Sequence, residues 1–297
     1  MLLQQILNGI VVGGVYALFA MGLTLVFGVN HIMNMAHGAV FMWGAFAGLF
    51  AVTALGQSLF VALLVGMLTG GLLSVALDWI AFRPLRRRSA PLFSTIVAAF
   101  GADLVLISLA QKASNTAVMR FPFDTFPIVI FKFLGMRIQL LQIVIVAVSV
   151  LMVLGLLYFL YGSRFGLQAR AVAFSENTSK LLGINPGLVN FQVFFISGAL
   201  AGIAGVLIGL VFNSVHFMMG EPLLLRAFVV IILGGLGSIG GALVAGLIIG
   251  VIQTLSVAYI SPGVADAIVF SLLFLVLIVR PTGLFGRAHS DLRVARR

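Results

Sequence analysis

The chain has 297 residues, 62% of them hydrophobic and only 8% charged, where a soluble domain carries about 25% charged. No soluble core of this size hides so much apolar surface, so a water-soluble enzyme is excluded and the fold class is an all-α integral membrane protein. The net charge of +10 resides in three short segments, +4 over 83–88, +2 over 162–190 and +4 over 280–297; basic loops beside apolar spans set membrane topology and exclude a nucleic-acid partner.

No acidic or basic side chain occurs from Met1 to Leu77. The apolar character does not give way to a cleavage site and a polar mature domain, so the first span reads as mature membrane structure. The absence of cysteine rules out disulfides and thiolate metal sites. A span needs about 20 apolar residues. The first candidates in chain order are Ile6–Phe27, Ala36–Gly56, Ser58–Phe82, Pro91–Ala110, Ile138–Tyr161 and Phe191–Asn213.

Glycines at Gly9, Gly13, Gly14 and Gly22, and later Gly198, Gly202, Gly205 and Gly209, follow the small-residue spacing of closely packed membrane helices. Between the first two spans, Asn30, His31, Asn34 and His37 form a polar cluster, and Gly38 lets the backbone turn or be approached there. Such groups inside a membrane must be satisfied by partners or face water, so the cluster is either structural or part of a polar path. His31 and His37 lack the i, i+4 spacing of a helical metal pair and have no carboxylate nearby, so no metal site is expected.

Asp78 lies near Arg83 and is expected to pair with it, whereas Asp103 falls in the middle of the Pro91–Ala110 span, where a carboxylate needs a partner or water. A proton-coupled carrier would use such a residue. Segment 111–137 carries Lys112, Arg120, Lys132 and Arg137 against Asp124 on the side expected to be extracytoplasmic. Its residues Ile128–Phe133, Gly135 and Arg137–Leu141 suggest a small hairpin there.

Loop 162–190 falls on the cytoplasmic side. Gln168–Leu182 is expected to form one short amphipathic helix with Ala171, Phe174, Thr178, Leu181 and Leu182 near one face, ended by Gly183 and Pro186. It is either a solvated connector or a helix that fits a groove on a cytosolic partner. Segment Ser214–Leu225 reads as an outside loop. The 34-residue uncharged stretch Ala227–Ile260 exceeds one span and reads as two helical pieces broken near 234–241, before the last span Val264–Val279. Asp266 begins that span and is expected at the interface. The total is about eight crossings in one membrane domain, residues 1–297, with a basic cytoplasmic tail at 280–297.

Four histidines and seven acids are too scattered for a catalytic constellation, and no GxxxxGK[ST] motif for nucleotide phosphates occurs. No enzyme activity and no cofactor of the chain's own are expected.

The run from Gly22 to Gly38, which contains Asn30-His31-Ile32-Met33-Asn34-Met35-Ala36-His37-Gly38, resembles the signature of LivH-type branched-chain amino-acid ABC-transporter permeases. The Arg170-Ala171 to Leu182-Gly183-Ile184-Asn185 loop and Ile232–Ala242, with Gly234, Gly235 and Gly237, resemble two further motifs of that family, in the same order. The resemblance implies an inner-membrane importer subunit paired with a second related permease and two cytosolic ATPases, which bind the ATP. An extracytoplasmic binding protein would deliver the substrate. It also implies that Arg170, Ala171, Glu176, Asn177, Leu182 and Gly183 couple to an ATPase. The translocation path would run past Asn30, Asn34, His37, Gly38, Gly234, Gly235 and Gly237, with the two helix breaks offering their ends to a zwitterion. Urea and short amides are the alternative cargo. Ser179, where alanine is usual, and Gly240, where proline is common, depart from the family pattern.

Overall fold

The computed structural model describes residues 1–88, 90–122, 127, 129–133 and 135–286. Seven helices are long and apolar enough to cross a membrane. They are α1 (Leu2–Asn30), α3 (Leu59–Leu77, continued by the π-turn Asp78–Phe82 and by α4, Arg83–Arg87), α5 (Leu92–Ala113), α6 (Leu140–Tyr161), α9 (Pro186–Val211), α11 (Ile239–Tyr259) and α12 (Pro262–Val279). Two shorter helices complete the bundle, α2 (His37–Thr53, 17 residues) and α10 (Gly220–Gly234, 15 residues). The expected hairpin forms as β1 (Ile130–Phe133) and β2 (Met136–Gln139), turning at Gly135 with φ 76°. Gln4 fastens it to α1 through the backbone of Arg137, donating to the carbonyl at 3.0 Å and accepting from the N–H at 2.9 Å.

Glycine decides which helices touch. A Cβ at Gly13 would lie 2.9 Å from the Leu247 backbone and one at Gly9 2.6 Å from that of Val251, which sets α1 antiparallel against α11. On the other side of the bundle, Cβ atoms at Gly70 and Gly202 would strike the carbonyl oxygens of Gly198 and Gly66, so α3 and α9 pack antiparallel with backbones in contact. Lipid supplies no hydrophobic drive between helices, and close dispersion contact replaces it. The small-residue stripes therefore build the core.

The two closely packed pairs are counterparts. Each of α1 and α9 is followed by a non-helical segment and then by a short helix whose first residues lie inside the bundle. The two short helices meet there, since a Cβ at Gly38 would lie 2.9 Å from the Gly220 carbonyl oxygen. Even their anchors correspond. Trp43, seventh residue of α2, donates its indole N–H to the Leu106 carbonyl of α5 at 3.1 Å, and Arg226, seventh residue of α10, binds Asp266 of α12.

Three expectations change. Helix α10 starts at Gly220, so Glu221 and Arg226 are part of it, and Ser214–Leu225 is not wholly a loop; pairing with Asp266 makes the arginine tolerable in a span. For the same reason Asp266 joins a side-chain network instead of simply facing the interface. Asp78 pairs with Arg86 at 2.8 Å, while Arg83 lies over the Trp79 ring at 5.4 Å. Asp124, Ile128 and the tail from Arg287 to Arg297 lie outside the described residues.

Candidate functional site

The polar cluster forms where α1 ends. His31 adopts φ 56° and its N–H closes onto the Phe27 carbonyl at 2.9 Å, which stops the helix. Residues 31–36 then lead to His37, whose N–H reaches the Asn34 carbonyl at 3.2 Å. The His37 ring is fully buried, with Nε2 3.3 Å from the Phe19 carbonyl oxygen and the ring centroid 4.6 Å from that of Phe19. A Cβ at Gly22 would lie 3.2 Å from His37 Nε2 and 2.8 Å from the Ser197 carbonyl oxygen, so glycine there admits the ring.

What the cluster lacks is partners. Both polar atoms of the Asn34 side chain, the Asn30 amide nitrogen and His37 Nδ1 are buried with no hydrogen-bond partner within the chain. A buried unpaired group costs about 1–3 kcal/mol. Several in one turn of chain make a place where water or a polar solute is stabilised.

Helix α2 begins with no side-chain cap. Its free N–H groups and the positive end of its dipole lie beside Asp103 on α5, which lines the same small cavity as Gly38 and Ala39. Asp103, Glu221 in the first turn of α10, Gly38 and Gly220 line one small cavity. Asp103 therefore has a structural task, serving the start of α2 from a neighbouring helix.

The glycine motif meets the last turn of α1, where a Cβ at Gly28 would lie 3.5 Å from the Gly237 Cα. Gly234 ends α10, Gly235 (φ 99°) and Gly237 (φ 82°) make the turn, and Ser238 caps α11 by accepting from the Gly241 N–H at 3.2 Å. Positive φ at both positions is what demands glycine. A returning segment locks the turn, with Leu284 N–H on the Leu233 carbonyl at 2.7 Å and Phe285 N–H on that of Gly234 at 3.2 Å. The turn lies at the bundle end that carries the basic loops. The start of α2 at Gly38 packs against Gly220, whereas the glycine turn packs against Gly28 in the last turn of α1.

At that basic end a cavity of about 750 Å³ opens between α1, the end of α6, the α10–α11 turn and residues 281–286. Gly237 and Arg170 line it together, with Thr24, whose buried hydroxyl is unpartnered within the chain.

The loop at this end holds two helices, not one. Helix α7 (Arg164–Phe174) and helix α8 (Glu176–Leu181) are separated by Ser175, extended at φ −161° and ψ 114°. Ser175 caps α8 by accepting from the Thr178 N–H at 3.2 Å, and that competing hydrogen bond breaks the continuous helix. Arg170 donates to the Leu160 carbonyl and lies over the Tyr161 ring at 5.8 Å, so it ties α7 to α6. Glu176 pairs with Lys180 at 2.9 Å, and Asn177 is exposed. Gly183, at φ 77°, lets the chain turn before Asn185 caps α9. Ala171 is half-buried, while Phe174, Leu181 and Leu182 are exposed by 91%, 88% and 71%.

One network escapes the sequence reading. The Arg226 guanidinium donates to both Asp266 oxygens, at 2.9 and 3.1 Å, and to the Tyr16 hydroxyl at 3.3 Å. The Gln253 amide, oriented to satisfy its neighbours, donates to the Tyr16 hydroxyl at 2.8 Å and accepts from Arg226 at 3.1 and 3.2 Å. Helices α1, α10, α11 and α12 meet in these four side chains. The signal available in sequence was a single arginine and a single aspartate, each bordered by apolar runs.

The family described as the permease component of branched-chain amino acid transport systems matches residues 5–278. A high-affinity branched-chain amino acid transport system permease protein, BraD of Pseudomonas aeruginosa, is 34% identical over 97% of both chains. LivH of Escherichia coli, of the same description, is 34% identical over 97% of both. A probable LivH permease of Methanocaldococcus jannaschii is 27% identical over 95% of this chain and 92% of its own. Among solved structures none matches. With the match spanning the polar cluster, the α7–α8 loop and the glycine turn alike, the chain belongs to the family of branched-chain amino acid transport permeases.

Proposed function

We propose that this chain works in the cytoplasmic membrane as one of two related permeases, beside two cytosolic ATPases and an extracytoplasmic binding protein, and that it passes branched-chain amino acids inward. The basic end of the bundle is then cytoplasmic and the hairpin end extracytoplasmic. The observation that carries this reading is the exposed apolar set Phe174, Leu181 and Leu182 on the α7–α8 arm at the basic end. Three large apolar groups presented to water on a short helical arm suit a groove on a soluble partner. Arg170 fixes that arm to α6, so a push on it reaches the bundle. Asn34, His37 and Asn30, with unsatisfied polar atoms beside the start of α2, are the path residues of this reading, and Gly38 lets α10 approach them. Gly237 belongs to the inner mouth, together with Gly234 and Gly235 of the same turn. The resident chemistry is conformational: ATP is bound and hydrolysed by the partners.

The test is uptake of labelled leucine into vesicles holding the assembled importer, with binding protein outside and ATP inside. Excess isoleucine is expected to suppress uptake, and urea to leave it unchanged. Suppression by urea and not by isoleucine would replace the cargo with a short amide.

A further inference from the structure

Most of the surface that the bundle turns outward between its ends is apolar. Phe93, Phe100 and Leu104 on α5, Leu68 on α3 and Leu151 on α6 are all exposed, as hydrocarbon requires. One face differs. Away from the ends of the spanning bundle, the charged residues among those described are Asp78, Asp103, Glu221, Arg226 and Asp266. Asp78 and Asp103 are buried. The three that remain accessible all lie on α10 and α12, with the Arg226 and Asp266 side chains 22% and 47% exposed. Charge facing lipid costs about 2.5–3.5 kcal/mol per group at the centre of a span and less toward its end, and among the described residues no other exposed face within the spans carries it.

We infer that the Arg226–Asp266 pair is a polar station on the wall of the translocation path, open to water and not to lipid, which takes the charged ends of a zwitterionic cargo. The inference rests on the importer reading above and deepens it. A guanidinium that binds a carboxylate through two N–H donors offers the same fork to the α-carboxylate of an amino acid. The displaced Asp266 carboxylate accepts the cargo's ammonium group. Every charge stays paired through the exchange, which avoids stranding a desolvated ion. Tyr16 and Gln253 keep hold of Arg226 while Asp266 lets go, so the guanidinium stays in place. Swapping one ion pair for another makes binding weak, as passage requires. A neutral amide offers no such exchange.

The chain contains no cysteine, so one introduced thiol reports its own surroundings. Leu225→Cys, one turn beyond Glu221, and Phe100→Cys on α5 replace side chains 55% and 50% exposed in the chain alone. In the assembled importer, a charged thiol reagent is expected to label Leu225→Cys at least about tenfold faster than Phe100→Cys, with leucine slowing the reaction. Equally slow labelling places the face against lipid or a dry interface and overturns the inference. Asp266→Asn is expected to raise the KM for leucine uptake about tenfold, the scale of one lost charge-assisted hydrogen bond, with kcat changed less. A fall in kcat at unchanged KM marks a purely structural latch and also overturns it. Should that variant fail to assemble, the labelling comparison decides. A wild-type complex that takes up no leucine at all would count against the importer reading, not against the station.

Discussion

Gly70 has no room for a side chain, because any Cβ there would strike the Gly198 carbonyl oxygen and crowd the Gly202 backbone 2.9 Å away. Backbone cannot step aside as a flexible side chain can. Gly70→Val is therefore expected to cost at least about 3 kcal/mol, at the upper end of overpacking penalties. Gly101 on α5 has nothing within 4 Å of a built Cβ. Gly101→Ala is expected to leave stability unchanged or raise it by about 0.5–1 kcal/mol through helix propensity. Thermal unfolding midpoints of the purified variants check both, and equal midpoints would contradict the packing account. Spacing alone marks the stripe that holds Gly198 and Gly202 as a packing surface. It cannot tell that Gly66 and Gly70 are the facing partners, since contact across the bundle leaves no local trace.

At the scale of elements, the α7–α8 arm shows how local hydrogen bonding overrides periodicity. The apolar pattern of Gln168–Leu182 suits one helix, yet the Ser175 hydroxyl captures the Thr178 N–H and splits it in two. The split leaves Phe174 at the end of α7 and Leu182 just past α8, both exposed. Phe174→Ser combined with Leu182→Ser is expected to abolish co-purification of the ATPases while the permease still folds, because neither side chain packs in the core. Glu176→Gln, which removes one exposed ion pair worth less than about 0.5 kcal/mol, is expected to leave the complex intact. Retention of the ATPases by the double variant would remove the arm as their docking site. Helix α10 is the element hardest to read from sequence. Glu221 and Arg226 break the apolar run, and only the fold supplies Asp266 to neutralise the arginine.

Over the whole molecule, the membrane class, the order of the spans, the hairpin and the basic end are legible because each depends on composition or nearest neighbours. The counterpart relation between α1–α2–α3 and α9–α10–α11 is not, because it resides in contacts between segments far apart in sequence. That relation brings two helix starts, at His37 and Gly220, together inside the bundle. It also explains the mid-span carboxylate. Asp103 lies beside the uncapped start of α2, so the fold accounts for its place and no proton-coupling role is needed to explain it. An asparagine keeps an oxygen acceptor at that position while abolishing titration.

The most direct measurement is leucine uptake by the importer carrying Asp103→Asn, driven in one set of vesicles by internal ATP and in another by a proton gradient alone. Uptake is expected to require ATP, to survive the substitution to within a few-fold and to ignore the gradient. Uptake that follows the gradient without ATP and disappears in Asp103→Asn would contradict that expectation.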